Sequence, residues 1–557
     1  MSSNDQREQR AANLLAECLK NQGVDRIFCV PGESYLAFLD ALVDAQTIEL
    51  VTCRHEGGAG FMALTDAKIT GRPGVIVVSR GPGATNASIA VHTAEQDAAP
   101  LVLLIGQIAR ADKGRGAFQE VDYGKMFSGI AKGVWEVNDP AKLPETIARA
   151  FNMAQSGTPG PVVVSLPEDM LHENVAADIV PAMPPAIAKP SNSDIEEVMS
   201  LLAKSSRPLV IAGGAVRCGQ ARDALRRAAE AHELPVALSF KYQDVLDNDH
   251  ASFAGYLGFK IPRPQVEALS EADLILAIGT RLTDVTTQNY QLPRAPVPSQ
   301  PLVHVYPDPA VIGRVFQTAC GLPVDPHAFL DLLASTPAAP VKERAEWRDG
   351  LHKRAMDLAV YEPRTAPDGI DFGALVHALA KRAEPDAVIV TDAGNFSSWV
   401  HRHWPWGRKS LMLGAVGGAM GMGVPGAVAA GLRFPQRQVL CFVGDGGALM
   451  TGNELATAVR HKVPVKIFVS NNGSYGTIRQ HQEREYPDRG EGTSLTKPDF
   501  AKWAESLGAK GLSIDNESDI EDVVARALAE KGSVVVDVCS SVELISAYTT
   551  ISKIHSL

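Results

Sequence analysis

Two residues late in the chain have the types and spacing of a cation site. Asp445 stands in the run Gly444-Asp445-Gly446-Gly447, straight after the apolar stretch 438–443, and Asn472 lies in Asn471-Asn472-Gly473, shortly after the apolar stretch 465–469. A carboxylate oxygen, an amide oxygen and a nearby backbone carbonyl make a hard oxygen donor set of the kind Mg²⁺ takes, with phosphate oxygens and water completing the octahedron. Gly446 and Gly447 leave backbone N–H groups open to an anion. A Gly-Asp-Gly alone is ordinarily a turn. The paired asparagines, with an apolar run before each end, point to a site instead.

For Asp445 and Asn472 to meet, the chain between them must leave and return. The runs 438–443 and 465–469 read as parallel strands and 453–460 as the helix joining them, so the carboxyl ends of the two strands lie side by side, where open α/β sheets bind ligands. The same alternation fills the chain. Short β-branched runs at 75–78, 101–105, 161–165, 209–212, 274–278, 302–305, 388–390 and 534–538 are separated by helical patterns, which indicates parallel sheets covered on both faces. Pro-rich stretches at 180–194 and between 335 and 369 read as linkers. They divide the chain into α/β blocks at 1–180, 195–335 and 365–540, followed by a tail, 541–557, that either packs over something or is disordered.

Bulk properties narrow the function. The 557 residues carry a net charge of -11, against the basic footprint of a nucleic-acid binder. No apolar run reaches membrane-spanning length and the polar N-terminal stretch lacks a signal-peptide core. The seven scattered cysteines form no CxxC pair. They read as reduced, buried small residues of a cytoplasmic protein.

A Gly-Asp-Gly followed at this distance by Asn-Asn resembles the thiamine diphosphate signature of the decarboxylase and carboligase superfamily. The resemblance implies three doubly wound parallel-sheet domains: pyrimidine-binding, Rossmann-like central and diphosphate-binding. It implies Mg²⁺ held by Asp445, the side chain of Asn472 and the backbone carbonyl of Ser474, and a diphosphate lined by Gly446, Gly447, Tyr475, Gly476 and Thr477. It further implies a glutamate far upstream, and the stretch CRHEGGAGFMALTDAKITGRPGV supplies Glu56. In the superfamily that carboxyl hydrogen-bonds N1′ of the aminopyrimidine, a task for a group able to share a proton at neutral pH in an apolar pocket. The cofactor then does the hard chemistry through C2 of its thiazolium ring. Read without the resemblance, Glu56 is equally a helix N-terminal carboxylate favoured by the macrodipole.

The segments SRGPGATNAS and GRGAFQEVD are similar to the acetolactate synthase branch, which makes Asn86, Phe118 and Gln119 active-site candidates. Gly81-Pro82-Gly83 reads as a turn, with Thr85 and Asn86 opening a helix. In GAVGGAMGMGVPG the resemblance gives the carbonyl of Gly418 to the 4′-amino group and sets Met420 beneath the folded cofactor. In TDAGNFSSW it brings Asn395 towards the diphosphate. Glu56 and Asp445 fall in blocks that meet across a two-fold interface in this family, so the resemblance implies a homodimer or homotetramer.

The chain also departs from the branch. It reads GYLGFKIPRP where FAD-binding members carry Gly-Met-His-Gly, which speaks against FAD. It has RLTDV at 281–285, with Val285 in place of an arginine, and His481 where the branch has an acceptor-pocket tryptophan. Arg80 precedes the GPG turn and reads as a structural ion pair before an anion ligand. His401 and His403 read as surface residues on a strand or loop. The expected activity is acetolactate synthase-like decarboxylation and carboligation of a 2-oxo acid. The alternatives are an acyl-CoA lyase or decarboxylase of the oxalyl-CoA decarboxylase or 2-hydroxyacyl-CoA lyase type, and a non-catalytic cofactor-binding relative.

Overall fold

The apolar runs become the inner strands of three six-stranded parallel sheets. The computed structural model describes residues 8–259, 261–337, 341–407 and 409–556. The first sheet runs Glu49–Thr52, Arg26–Cys29, Gly74–Ser79, Leu101–Gln107, Pro161–Pro167, Gly133–Glu136. The third runs Leu411–Leu413, Val388–Thr391, Val439–Gly444, Val465–Ser470, Val534–Val538, Lys510–Ile514. The two share one order: second strand, first, third, fourth, sixth, fifth. The central sheet instead runs outward in both directions from Pro208–Ala212, with Leu274–Ile278 beside it. Helices cover both faces of each sheet, which is why the inner strands are apolar on both sides.

The first and third domains share one apolar core. Helix Glu56–Thr70 lies on helix Gly423–Arg433 so closely that a Cβ on Gly426 would come 3.1 Å from Thr65 Oγ1. The end of that contact is tied by Arg433, which donates to Asp66 at 2.8 Å and to Asp25 at 2.9 Å. These bonds hold the Asp25 carboxyl below its usual range. Bidentate, partly buried pairs of this kind hold geometry better than isolated surface bridges.

The stretch between 335 and 369 is more than a linker. Residues Lys342–Ala359 form an 18-residue helix of the central domain, in which Arg344 donates to the carbonyls of Ser205 and Leu202 and Trp347 to that of Pro208. Prolines flank this helix without entering it. The tail is ordered too: Tyr548 OH meets Tyr256 OH, and His555 bonds Glu483 at 2.6 Å. Two cysteines depart from the buried expectation. Cys218, which precedes helix Gly219–His232, is exposed and Cys539 is half-buried.

Candidate active site

Strands Val439–Gly444 and Val465–Ser470 are parallel neighbours, with Gly444 opposite Ser470. Their carboxyl ends deliver Asp445 and Asn472 to one cavity of about 420 Å³. Asp445 is the first residue of helix Asp445–Thr451, so helix begins well before residue 453; an acidic residue at that position suits the helix dipole. Its Oδ2 accepts from the Gly473 N–H at 2.6 Å, and its Oδ1 from the Gly446 N–H at 2.8 Å. The Gly446 N–H is therefore engaged by Asp445 rather than open to an anion. Asn472 Oδ1 accepts from the Ser474 N–H at 2.9 Å.

Burial raises the Asp445 pKa, and the carboxylate is 3% exposed. It has no ion pair with lysine or arginine among the described residues. Lys497 attracts it only through space. A buried carboxylate without a paired cation is costly, and a divalent ion would relieve that cost. With Asn472 and the Ser474 carbonyl at hand, the donor set fits Mg²⁺.

The same cavity is lined by Gly446, Gly447, Ser474, Tyr475, Gly476 and Thr477, by Gly418 and Met420, and by Asn395. Asn395 is fixed at both ends of its amide: Nδ2 donates to Gln480 Oε1 at 2.8 Å and Oδ1 accepts from Thr477 Oγ1 at 3.1 Å. Gly418 has φ +74 with open space where a Cβ would be, so backbone conformation, not crowding, requires glycine there. Gly418→Ala should lower stability by roughly 1–2 kcal/mol, read as a lower urea midpoint at unchanged slope. At Gly446 the limit is steric: a Cβ would lie 2.5 Å from the Tyr475 ring.

Glu56 sits elsewhere. It is the first residue of helix Glu56–Thr70, whose cap is His55 accepting from the Gly57 N–H. Asn86 Nδ2 donates to Glu56 Oε2 at 2.9 Å. Asn86 belongs to a helix that starts at Arg80, not at Thr85. Pro82 is accommodated because the N–H groups of a first turn have no intrahelical partner. Phe118 is 75% exposed, and Gln119 next to it has φ +66, with its carbonyl accepting from the Gly81 N–H. None of Glu56, Asn86, Phe118 and Gln119 lines the cavity around Asp445. Within one chain the candidate residues fall into two separate groups.

Arg80 is a structural ion pair, bonded to Glu33 at 2.6 Å and Glu168 at 2.5 Å. Arg281 donates to the carbonyls of Glu95 and Gln96, joining the central domain to the first beside a second cavity of about 640 Å³. His481 lines the Asp445 cavity.

Other residues around the candidate site carry no signal in the sequence. His401 is not a surface residue: it lies on helix Ser397–His403, is 5% exposed and lines the cavity with Lys241, Trp399 and Tyr548. Glu454 is fully buried, with its pKa raised by that burial, and its Oε1 accepts from the N–H groups of Arg54 and His55 at 2.9 and 3.0 Å. A residue of the third domain thus holds the start of the helix that carries Glu56. Glu454→Ala would leave both N–H groups unpaired and should cost about 2–4 kcal/mol, seen as a lower unfolding midpoint in the cofactor-free protein.

The geometry agrees with three sequence matches to the thiamine pyrophosphate enzymes: the N-terminal TPP binding domain over residues 9–126, the central domain over 195–333, and the C-terminal TPP binding domain over 392–538. Thiamine pyrophosphate is thiamine diphosphate under another name, and the chain belongs to this enzyme family. Its relatives place it in the acetolactate synthase-like group. It is 32% identical to the acetolactate synthase isozyme 1 large subunit of Escherichia coli (strain K12), over 95% of this chain and 93% of that one. It is 31% identical to isozyme 2 of the same organism, over 95% of each, and 30% identical to the acetolactate synthase large subunit of Lactococcus lactis subsp. lactis (strain IL1403), over 92% and 89%.

Proposed function

We propose that this chain is a thiamine diphosphate- and Mg²⁺-dependent enzyme that decarboxylates a 2-oxo acid and joins the remaining acyl unit to a carbonyl acceptor, as a cytoplasmic homodimer or homotetramer. The observation that carries this reading is the buried Asp445, without an ion pair among the described residues, beside Asn472 at adjacent strand ends in a cavity that also holds Gly418 and Met420.

Asp445, Asn472 and the Ser474 carbonyl would hold Mg²⁺, and Gly447, Tyr475, Gly476 and Thr477 the diphosphate, with Asn395 bracing Thr477 beside it. The Gly418 carbonyl would accept from the 4′-amino group, with Met420 supporting the fold of the two rings. Bound there, the cofactor would supply a nucleophilic ring carbon and a sink for the electron pair released with CO₂. Glu56 would hold a proton at N1′ of the pyrimidine, oriented by the Asn86 amide. The reading includes no FAD.

Two facts support a two-fold assembly. The halves carrying Glu56 and Asp445 do not share a cavity within a chain. Each is flanked by exposed apolar surface: Ile89, one helical turn from Asn86, is 42% exposed, and Leu449 and Met450, on the helix Asp445 begins, are 55% and 46% exposed.

The test is CO₂ release from pyruvate by purified protein with thiamine diphosphate and Mg²⁺, with products identified by mass spectrometry. Acetolactate is the expected product. Bound cofactor with inert pyruvate would remove this substrate assignment.

A further inference from the structure

The cavity around Asp445 has a second charged region on its central-domain side. Lys241 lines it, is 3% exposed, and its ammonium nitrogen has no hydrogen-bond partner. A buried ammonium without a partner is as costly as a buried lone carboxylate. The nearby carboxylates are already engaged. Asp97 takes the ammonium of Lys68 at 2.5 Å and the Gly417 N–H at 3.0 Å. Asp392 takes the N–H groups of Ala393 and Gly421. Both attract Lys241 through space without bonding it.

His401 supplies a second spare donor. Gln243 Nε2 donates to its Nδ1 at 2.7 Å, which leaves the ring proton on Nε2, and Nε2 is buried with no partner. Burial pushes the imidazole pKa down to about 3, so the ring is neutral and Nε2–H donates. Phe240 stands beside both, its centroid 5.6 Å from the Lys241 ammonium and 5.5 Å from the His401 ring centroid. Phe259 packs edge-on against Phe240 at 5.2 Å. Two unpartnered donors, one of them cationic, thus share an aromatic-walled recess.

We propose that Lys241 and His401 bind a carboxylate of the organic acid that enters this cavity, with the acid's apolar body against Phe240 and Phe259. The inference rests on the carboligation reading for the choice of carboxylate. A clamp on the carboxylate to be lost would stabilise the reactant and not the transition state for its loss. The pair therefore serves a carboxylate the reaction keeps, that of an oxo-acid acceptor, and these two residues set the preference for an acid over a neutral aldehyde.

Binding can be tested without turnover. Butyrate and butyramide have nearly the same shape, and only butyrate is charged. Each is titrated calorimetrically into the full chain, with and without thiamine diphosphate and Mg²⁺. Butyrate is expected to bind at least about tenfold more tightly than butyramide. Lys241→Met should bring butyrate down to the level of the amide, leaving butyramide and cofactor affinities unchanged. His401→Phe keeps the ring beside Phe240, loses the donor, and should weaken butyrate by a smaller factor than Lys241→Met does, and butyramide less still, its carbonyl being the weaker acceptor. It also serves if Lys241→Met does not fold. Equal binding of acid and amide by the wild type, or a preference untouched by both substitutions, overturns the proposal. Inert pyruvate with the acid preference intact would overturn the functional reading and leave the anion site standing. Turnover of pyruvate with a preference indifferent to Lys241 and His401 would do the reverse.

Discussion

Glu56→Gln is expected to abolish nearly all turnover while leaving a folded, cofactor-binding protein. The amide oxygen can still accept from Asn86 Nδ2, as Glu56 Oε2 does at 2.9 Å, so the helix start should persist. What is lost is a group that can hold and return a proton at N1′, a contribution of roughly 10²–10⁴ in rate. The two-part architecture gives the experiment a sharper form. If a working site takes Glu56 from one chain and Asp445 from its partner, Glu56→Gln and Asp445→Ala chains are each inactive alone but complement when coexpressed. A mixed dimer then has one site with both residues intact and one with neither, so random pairing restores about a quarter of wild-type activity. Sites contained within single chains would restore none.

Asp445→Ala should remove Mg²⁺-dependent binding of thiamine diphosphate. Losing a group that merely supports a ligand costs about 10–100-fold in metal affinity, and a direct ligand should cost more. Calorimetry with and without Mg²⁺ reads the effect. In the wild type, cofactor and Mg²⁺ together should also raise the unfolding temperature, because they bind only the folded chain; the variant should lack that shift. Unchanged affinity would remove Asp445 from the metal site.

The interior of the fold was legible, and its edges were not. Runs such as 101–105 and 439–443 lie in strands flanked on both sides, where every residue is covered and the sequence is continuously apolar. Gly133–Glu136 lies at a sheet edge with every residue only half-buried, and Lys510–Ile514 at another begins with an exposed lysine. Edge strands are short and polar by necessity, so no run announced them. The helix 342–359 was hidden for a related reason: only one face is covered, and its charged residues looked like linker.

The site divides in the same way. Asp445, Asn472 and Glu56 stand out as candidates because the proposed chemistry restricts residue type and the neighbouring glycines restrict backbone. Lys241, His401 and Glu454 reach their positions through tertiary packing, from segments whose sequence resembles ordinary loop or helix. His401 in particular is buried by Phe240 and Tyr256, both far away in the chain.

One lining residue turns the cavity into its own optical probe. Of the six tryptophans, Trp399 alone lines it among the described residues. It is 3% exposed, its indole nitrogen has no hydrogen-bond partner, and the Arg364 guanidinium lies 5.8 Å from its ring. A charged, aromatic guest arriving beside such a fluorophore changes its emission, so occupancy can be followed in unlabelled protein, in real time, before any product exists to be measured.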